Sequence, residues 1–230
     1  MMPVLRNKGE SELPMARITI RPTKPDRWVA NAIARDTNAR TEDAAGVLTW
    51  GADEHVLCLL AAGWWLYCRD KNAECRRASD HVLLSTLAAS LLPHVLKAVF
   101  DQERPDRETL DGHFRGIPLS GKKYDAFPSG HAVHIGALAS AATELPPTQR
   151  NAAWAVGGAL VLTRIVLLAH WVSDVVAGLV VGALLERTLR FFTGYGGPTR
   201  TGRRSATRNA RTLQTFGDKK DACIKAVMRP

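Results

Sequence analysis

Three short segments of this 230-residue chain hold residues that together could manage a phosphate group. Lys97 and Arg104, the latter followed by Pro105, offer two cations. Pro128-Ser129-Gly130-His131 offers a Ser-Gly turn and a histidine. Thr163-Arg164 adds a third cation, and His170 and Asp174 follow it. A Ser-Gly turn at a helix start presents a hydroxyl and backbone N–H groups to an anion, and glycine lets the backbone come close. Arginine adds forked donors that match phosphate oxygens. Four residues apart on one helix, His170 and Asp174 would face the same way. The carboxylate could then accept from one ring nitrogen and leave the other free to attack. The set reads as a phosphate cage with a nucleophile and an acid. Each piece alone is weak: cations at helix ends snorkel, and Ser129 would be an ordinary N-cap. Their ordered combination is what points to chemistry.

The patterns K-x6-R-P, P-S-G-H and [S/T]-R-x5-H-x3-D resemble the three-part signature of the type-2 phosphatidic acid phosphatase family. That family shares its helical core with bacterial acid phosphatases and vanadium haloperoxidases. The motifs cover residues 97–174, and the helices needed to carry them extend to about 44–192. Thr163 stands where the family usually has Ser, which keeps the hydroxyl and adds a methyl. The resemblance implies an all-α, membrane-embedded bundle of about five to six helices with this haloperoxidase-like core. Its reaction would be metal-independent, with His170 attacking phosphorus to form a phosphohistidine and His131 protonating the leaving oxygen. Lys97, Arg104 and Arg164, with Ser129 and Gly130, would hold the phosphoryl oxygens. Asp174 would orient His170. His134, one turn beyond His131, reads as a packing residue or one that supports the site from behind. No cofactor and no metal are expected. The expected partners are a lipid phosphate or pyrophosphate substrate and membrane lipids, without nucleic acid. Two other readings fit the same residues: a soluble acid phosphatase or vanadium haloperoxidase-like enzyme, and a non-catalytic lipid-binding membrane protein.

The elements that must position these residues are legible in the charge and hydropathy pattern. The net charge is +9, yet residues 44–192 hold 14 Lys/Arg and 14 Asp/Glu, so the basic excess sits in the ends. This divides the chain into a polar segment 1–43 with a possible interfacial helix at 26–40, a core 44–192, and a basic tail 193–230 that reads as disordered. Residues 1–25, with four prolines, also read as disordered. The first 31 residues lack an apolar run and a small-residue cleavage site, so no signal peptide is expected. Cys58, Cys68, Cys75 and Cys223 have no metal-site spacing and imply no disulfide framework.

Five apolar stretches, 45–68, 81–100, 131–144, 152–169 and 171–192, are candidate membrane crossings. Gly178 and Gly182 form a small-xxx-small face on the last of them. The basic loop Arg69–Arg77 and the tail predict a cytoplasmic side. The motifs, and a mouth formed by 106–127, would then lie on the opposite face. The expected location is a bacterial inner membrane, with the site facing away from the cytoplasm.

Overall fold

The computed structural model describes residues 18–105 and 124–197. Most of the expected mouth and the tail from residue 198 onward lie outside the described residues.

Polar caps set where the helices begin. Thr23 closes a capping box with Asp26 at the start of α1 (Lys24–Asp36). Asn38 caps α2 (Ala39–Leu48), Asp53 caps α3 (Glu54–Tyr67) and Asn72 caps α4 (Ala73–Val99). Each such cap satisfies otherwise unpaired N–H groups and is worth about 1 kcal/mol. The first apolar stretch is therefore broken in two: Asp53, accepting from the backbone of His55 and Val56, starts a new helix in its middle. Helix α4 begins well before its apolar run, because Asn72 accepts from Cys75 N and draws the charged turn into the helix. Three helices complete the bundle: α5 (Gly130–Ala141), α6 (Pro147–Val166) and α7 (Val172–Thr193). Among the described residues the only sheet is a two-residue parallel pairing of β1 (Ile18–Thr19) with β2 (Phe100–Asp101). The fold is all-α, as expected.

Helix α5 is the buried centre, packed by α3, α4, α6 and α7. Its contact with α7 is the most extensive in the molecule and is made by glycines. A Cβ on Gly182 would lie 2.0 Å from the Val133 carbonyl oxygen, and one on Gly136 would lie 2.3 Å from that of Leu179. The small-xxx-small face read from Gly178 and Gly182 is thus the seam between α5 and α7, where the two backbones touch.

At the end of the bundle remote from Lys97, a buried polar network joins α4, α5 and α7. His81 bonds Thr193 Oγ1 through Nδ1 (2.8 Å) and Glu186 through Nε2 (2.9 Å), and Tyr195 stacks on its ring. Glu186 also accepts from Ser140 and Arg190. Every member is paired, which is the condition under which buried ionic groups are tolerated.

The N-terminal segment packs more closely on the core than its sequence led us to expect. Residues from Ile18 onward are ordered against the bundle: Ile20 N donates to Asp101 O at 2.9 Å. Asp26 is buried and accepts from the backbone N and the Oγ of Ser173, both at 2.9 Å. Burial alone would raise the Asp26 pKa, but the hydrogen bonds from Thr23 and Ser173 outweigh it and hold it below its usual value. One carboxylate thus closes the box of α1 and binds the first turn of α7.

A second departure concerns the cysteines. Cys68 and Cys75 form a disulfide across the α3–α4 turn, with Cα atoms 5.6 Å apart, where the sequence implied none. The sequence gap of seven gave no sign of it; the 3-10 turn Cys68–Asp70 and the Asn72 cap fold the two cysteines toward each other.

Of the five candidate crossings, α4 alone among the described residues is both long and apolar enough to span a bilayer by length and composition. Helices α3 and α5, with 14 and 12 residues, fall short of the about 20 residues that a 30 Å hydrocarbon core requires. The bundle's outer surface is nonetheless strongly apolar. Leu60 and Leu66 of α3, Leu91 of α4, Leu162 of α6, and Val180 and Leu184 of α7 are all exposed.

Candidate active site

The cage is assembled from four places in the chain. Lys97 lies in the last turn of α4. The chain then leaves the helix at Phe100, which is extended because β2 pairs with β1. Arg104 is therefore not two turns further along the same helix face, as its spacing suggested. It is carried on the segment after the strand, where it is buried. Both cations still meet on one group: Asp125 Oδ1 accepts from Arg104 Nε (3.0 Å) and Nη2 (2.7 Å), and its Oδ2 lies 3.7 Å from Lys97 Nζ.

Ser129 occupies the N-cap position of α5 but makes no side-chain capping bond. Its Oγ is buried without a hydrogen-bond partner. Among the described residues the ordinary capping role of this serine is thus unfilled. Gly130 follows as the first helical residue, and a Cβ there would meet only Pro93, at 3.9 Å. Among the described residues no neighbour demands glycine at this position. His131 is next, in the first turn. His134 does what a packing residue does, bonding Ser90 Oγ and the Gly130 carbonyl at 3.0 Å each.

Arg164 is buried in the last turn of α6. Its Nη1 donates to Thr49 Oγ1 (3.1 Å), while its Nε is buried without a partner among the described residues. Thr163 returns its hydroxyl to the Leu160 carbonyl (2.6 Å), so the hydroxyl shared with serine at this position is spent within the helix.

His170 departs most from expectation. It sits in the turn between α6 and α7, two residues before α7 begins, rather than on a helix with Asp174. The turn is tight: Ala169 N donates to Arg164 O (3.0 Å), and Leu168, fully buried, takes the left-handed region at φ 50°. That conformation is costly for a residue with a branched side chain, and such outliers cluster at functional sites. His170 Nδ1 donates to the Ala126 carbonyl at 2.7 Å, whereas Asp174 Oδ2 is 3.8 Å away, outside hydrogen-bond range. A carbonyl only accepts, so Nδ1 carries the proton and Nε2 the lone pair. Asp174 instead accepts from Trp171 N (2.9 Å), capping α7, and its Oδ1 is buried with no partner among the described residues. The carboxylate positions the turn that carries His170; the backbone of Ala126 sets the tautomer. His170 is held well below the usual histidine pKa, first by burial and then by Arg164, Arg104, Lys97 and His131. Three cations and a second histidine thus act on this imidazole and favour its neutral form.

Residues 81–194 match a family model described as the PAP2 superfamily. This stretch belongs to that superfamily. All eight cage and catalytic candidates fall inside it, while α1, β1 and the Asp26 clamp lie outside. Curated relatives include lipid A 1-phosphatases of two rhizobia. The one from Rhizobium johnstonii is 36% identical over 104 residues, 45% of this chain and 43% of the relative. The one from Rhizobium etli is 36% identical over 103 residues, 44% of each chain. The match thus spans less than half the length of these relatives. Among solved structures, Aquifex aeolicus LpxE aligns with a TM-score of 0.57 at 14% identity, covering 75% of this chain and 98% of that one. The first transmembrane PAP2-type phosphatidylglycerolphosphate phosphatase from Bacillus subtilis aligns at 0.55 and 19% identity, covering 76% and 88%. At those identities the likeness is one of PAP2 fold.

Four contributors to the candidate site were not singled out from the sequence: Thr49 on Arg164, Asp125 on the two other cations, the Ala126 carbonyl on His170, and Asp26 on α7. Asp125 alone had a visible signal, an acid beside Lys122 and Lys123 and just ahead of Ser129.

Proposed function

We propose that the chain is a membrane-embedded phosphatase that removes a terminal phosphate from a lipid through a phosphohistidine at His170. The observation carrying this reading is His170 with its Nδ1 tied to Ala126 O, which leaves Nε2 with the lone pair; the charges of Lys97, Arg104 and Arg164 act on the same ring. Nε2 attacks phosphorus in line, the P–N bond forms and the bond to the lipid oxygen breaks. His131 gives its proton to that leaving oxygen. Water then attacks phosphorus, yielding its proton to His131, and the P–N bond breaks to release phosphate and neutral His170. The cations, Ser129 Oγ and the Gly130 N–H hold the equatorial oxygens throughout. Membrane embedding is supported by the span-length α4, by the exposed apolar faces of α3, α6 and α7, and by the transmembrane PAP2 phosphatase with the same fold.

Among lipid phosphates, the 1-phosphate of lipid A is the preferred substrate of this reading, because the curated relatives carry that activity in their names. Undecaprenyl pyrophosphate, phosphatidylglycerol phosphate and phosphatidic acid are the comparison substrates. Detergent-purified protein should release phosphate from this panel, fastest from the lipid A 1-phosphate. It should do so in excess EDTA, since cationic side chains carry the phosphoryl charge, and orthovanadate should inhibit by adopting the transition-state geometry. Absence of release from every substrate would refute the reading. Activity abolished by EDTA and restored by Mg²⁺ or Zn²⁺ would refute its metal-free mechanism.

The proposed site faces away from the cytoplasm, since the Lys/Arg-rich turn Arg69–Arg77 lies at the other end of α4. The Cys68–Cys75 bond in that turn makes the opposite demand, because disulfides persist in oxidising compartments. Single-cysteine labelling of intact cells, in a background with the four native cysteines replaced, separates the two. Tyr124→Cys, exposed beside the site, should react with an impermeant thiol reagent, and Gln149→Cys, exposed at the remote end, should not. The reverse pattern would place the site in the cytoplasm.

A further inference from the structure

Asp125 holds the two donors of Arg104 that a phosphate would be expected to use. Its Oδ1 accepts from both Nε and Nη2, the forked edge of the guanidinium, and its Oδ2 faces Lys97 at 3.7 Å. Two carboxylate oxygens thus meet two cations, as two equatorial phosphoryl oxygens would. The remaining guanidinium nitrogen, Nη1, makes a 3.5 Å contact with Ala169 O.

This placement is built by the backbone on both sides of the residue. Asp125 is bridged to Gln102, and Ala126 N donates to Gln102 O at 3.1 Å. The next carbonyl, of Ala126, accepts from His170. The acid is therefore fixed between the strand exit that carries Arg104 and the proposed nucleophile. It also lies nearer the surface than its partner: the side chain of Asp125 is 21% exposed, against 6% for Arg104. A rim carboxylate can rotate outward into water at little cost, whereas the buried cation cannot follow it.

We propose that Asp125 is a specificity-determining residue: its carboxylate competes internally for Arg104 and Lys97, is displaced by the phosphoryl group of a bound substrate, and returns to help expel product phosphate. The proposal rests on the phosphatase reading of the site. A dianion with three oxygens to share among Lys97, Arg104 and Arg164 outcompetes a single carboxylate, while weaker monoanions do not. Occupied by its own acid, the cage avoids being held by free phosphate between turnovers.

The test is orthophosphate affinity, measured by calorimetry and as the inhibition constant of lipid-phosphate hydrolysis, on full-length protein in detergent. Asp125→Asn removes the competing charge and should bind orthophosphate about tenfold more tightly, equivalent to about 1.4 kcal/mol. KM for the lipid phosphate should fall with it, and kcat should fall where release of phosphate limits turnover. Asp125→Glu keeps the charge and should bind orthophosphate as wild type does. Thermal unfolding of both variants checks that the bundle is intact. If Asp125→Asn binds orthophosphate equally or more weakly than wild type while wild type is active, the acid merely orients Arg104 and the proposal is overturned. If wild type neither binds orthophosphate nor hydrolyses any lipid phosphate, the phosphatase reading falls and this inference with it.

Discussion

Under the proposed mechanism, purified His170→Ala protein will release phosphate from a lipid phosphate at least about 10³-fold more slowly than wild type, because the attacking Nε2 is gone. Rapid acid quench with labelled substrate should trap a phosphorylated wild-type enzyme and none from the variant. Asp174→Asn should behave differently. Where a carboxylate sets the histidine tautomer, its loss costs about 10⁴-fold. Here the Ala126 carbonyl sets it, and Asn retains an oxygen to cap Trp171 N, so a loss nearer tenfold is expected. The pH profile carries a further sign. Only neutral imidazole attacks, and a depressed pKa keeps His170 neutral as pH falls through the usual histidine range near 6.5. The acid limb due to His170 should therefore lie below that range. Near-normal turnover in His170→Ala would end the mechanism.

Gly182→Ala should be the most damaging single-methyl addition in the bundle. The new Cβ would fall 2.0 Å from Val133 O and 2.8 Å from Ala137 N, both backbone atoms of α5. Neither can yield, so α5 and α7 must separate, at a cost of about 1–3 kcal/mol for overpacking. The separation also moves the site, since Ser129 and His131 ride on α5 and Asp174 on α7. A displacement of about 1 Å costs roughly 10²-fold in rate. A lower melting temperature together with that loss of activity is the expected result. Gly158→Ala on α6 is the control: nothing lies within 4 Å of its Cβ, and removing a helical glycine should be neutral or stabilising by up to about 1 kcal/mol. If Gly182→Ala melts and turns over like wild type, the seam does not hold the site.

The candidate cage could be proposed from the chain because phosphate chemistry restricts residue type. Cations with forked donors, a glycine-flanked serine and paired histidines have few substitutes, so Lys97, Arg104, Ser129, Gly130, His131, Arg164 and His170 announce themselves by identity and order. Helix content was readable for a similar reason. The apolar stretches are long, and caps such as Asp53 and Asn72 are side chains with a defined local job.

What the sequence could not supply was everything that depends on backbone partners distant along the chain. The partner of His170 is a carbonyl, and every residue has one. Nothing in the type of Ala126 marks it, and the i,i+4 spacing to Asp174 pointed elsewhere. The break at Phe100 that swings Arg104 off the helix depends on β1, more than eighty residues earlier. Asp26 reaches Ser173 only because α1 folds back across the start of α7. Asp125 meets Arg104 only because a bridge to Gln102 aims it there. Residue identity by itself determined which groups are candidates to bind and transfer phosphate. The tertiary structure alone decided which of them carry protons, which are already paired and how they are held, because hydrogen bonds to main-chain atoms leave no trace in side-chain type.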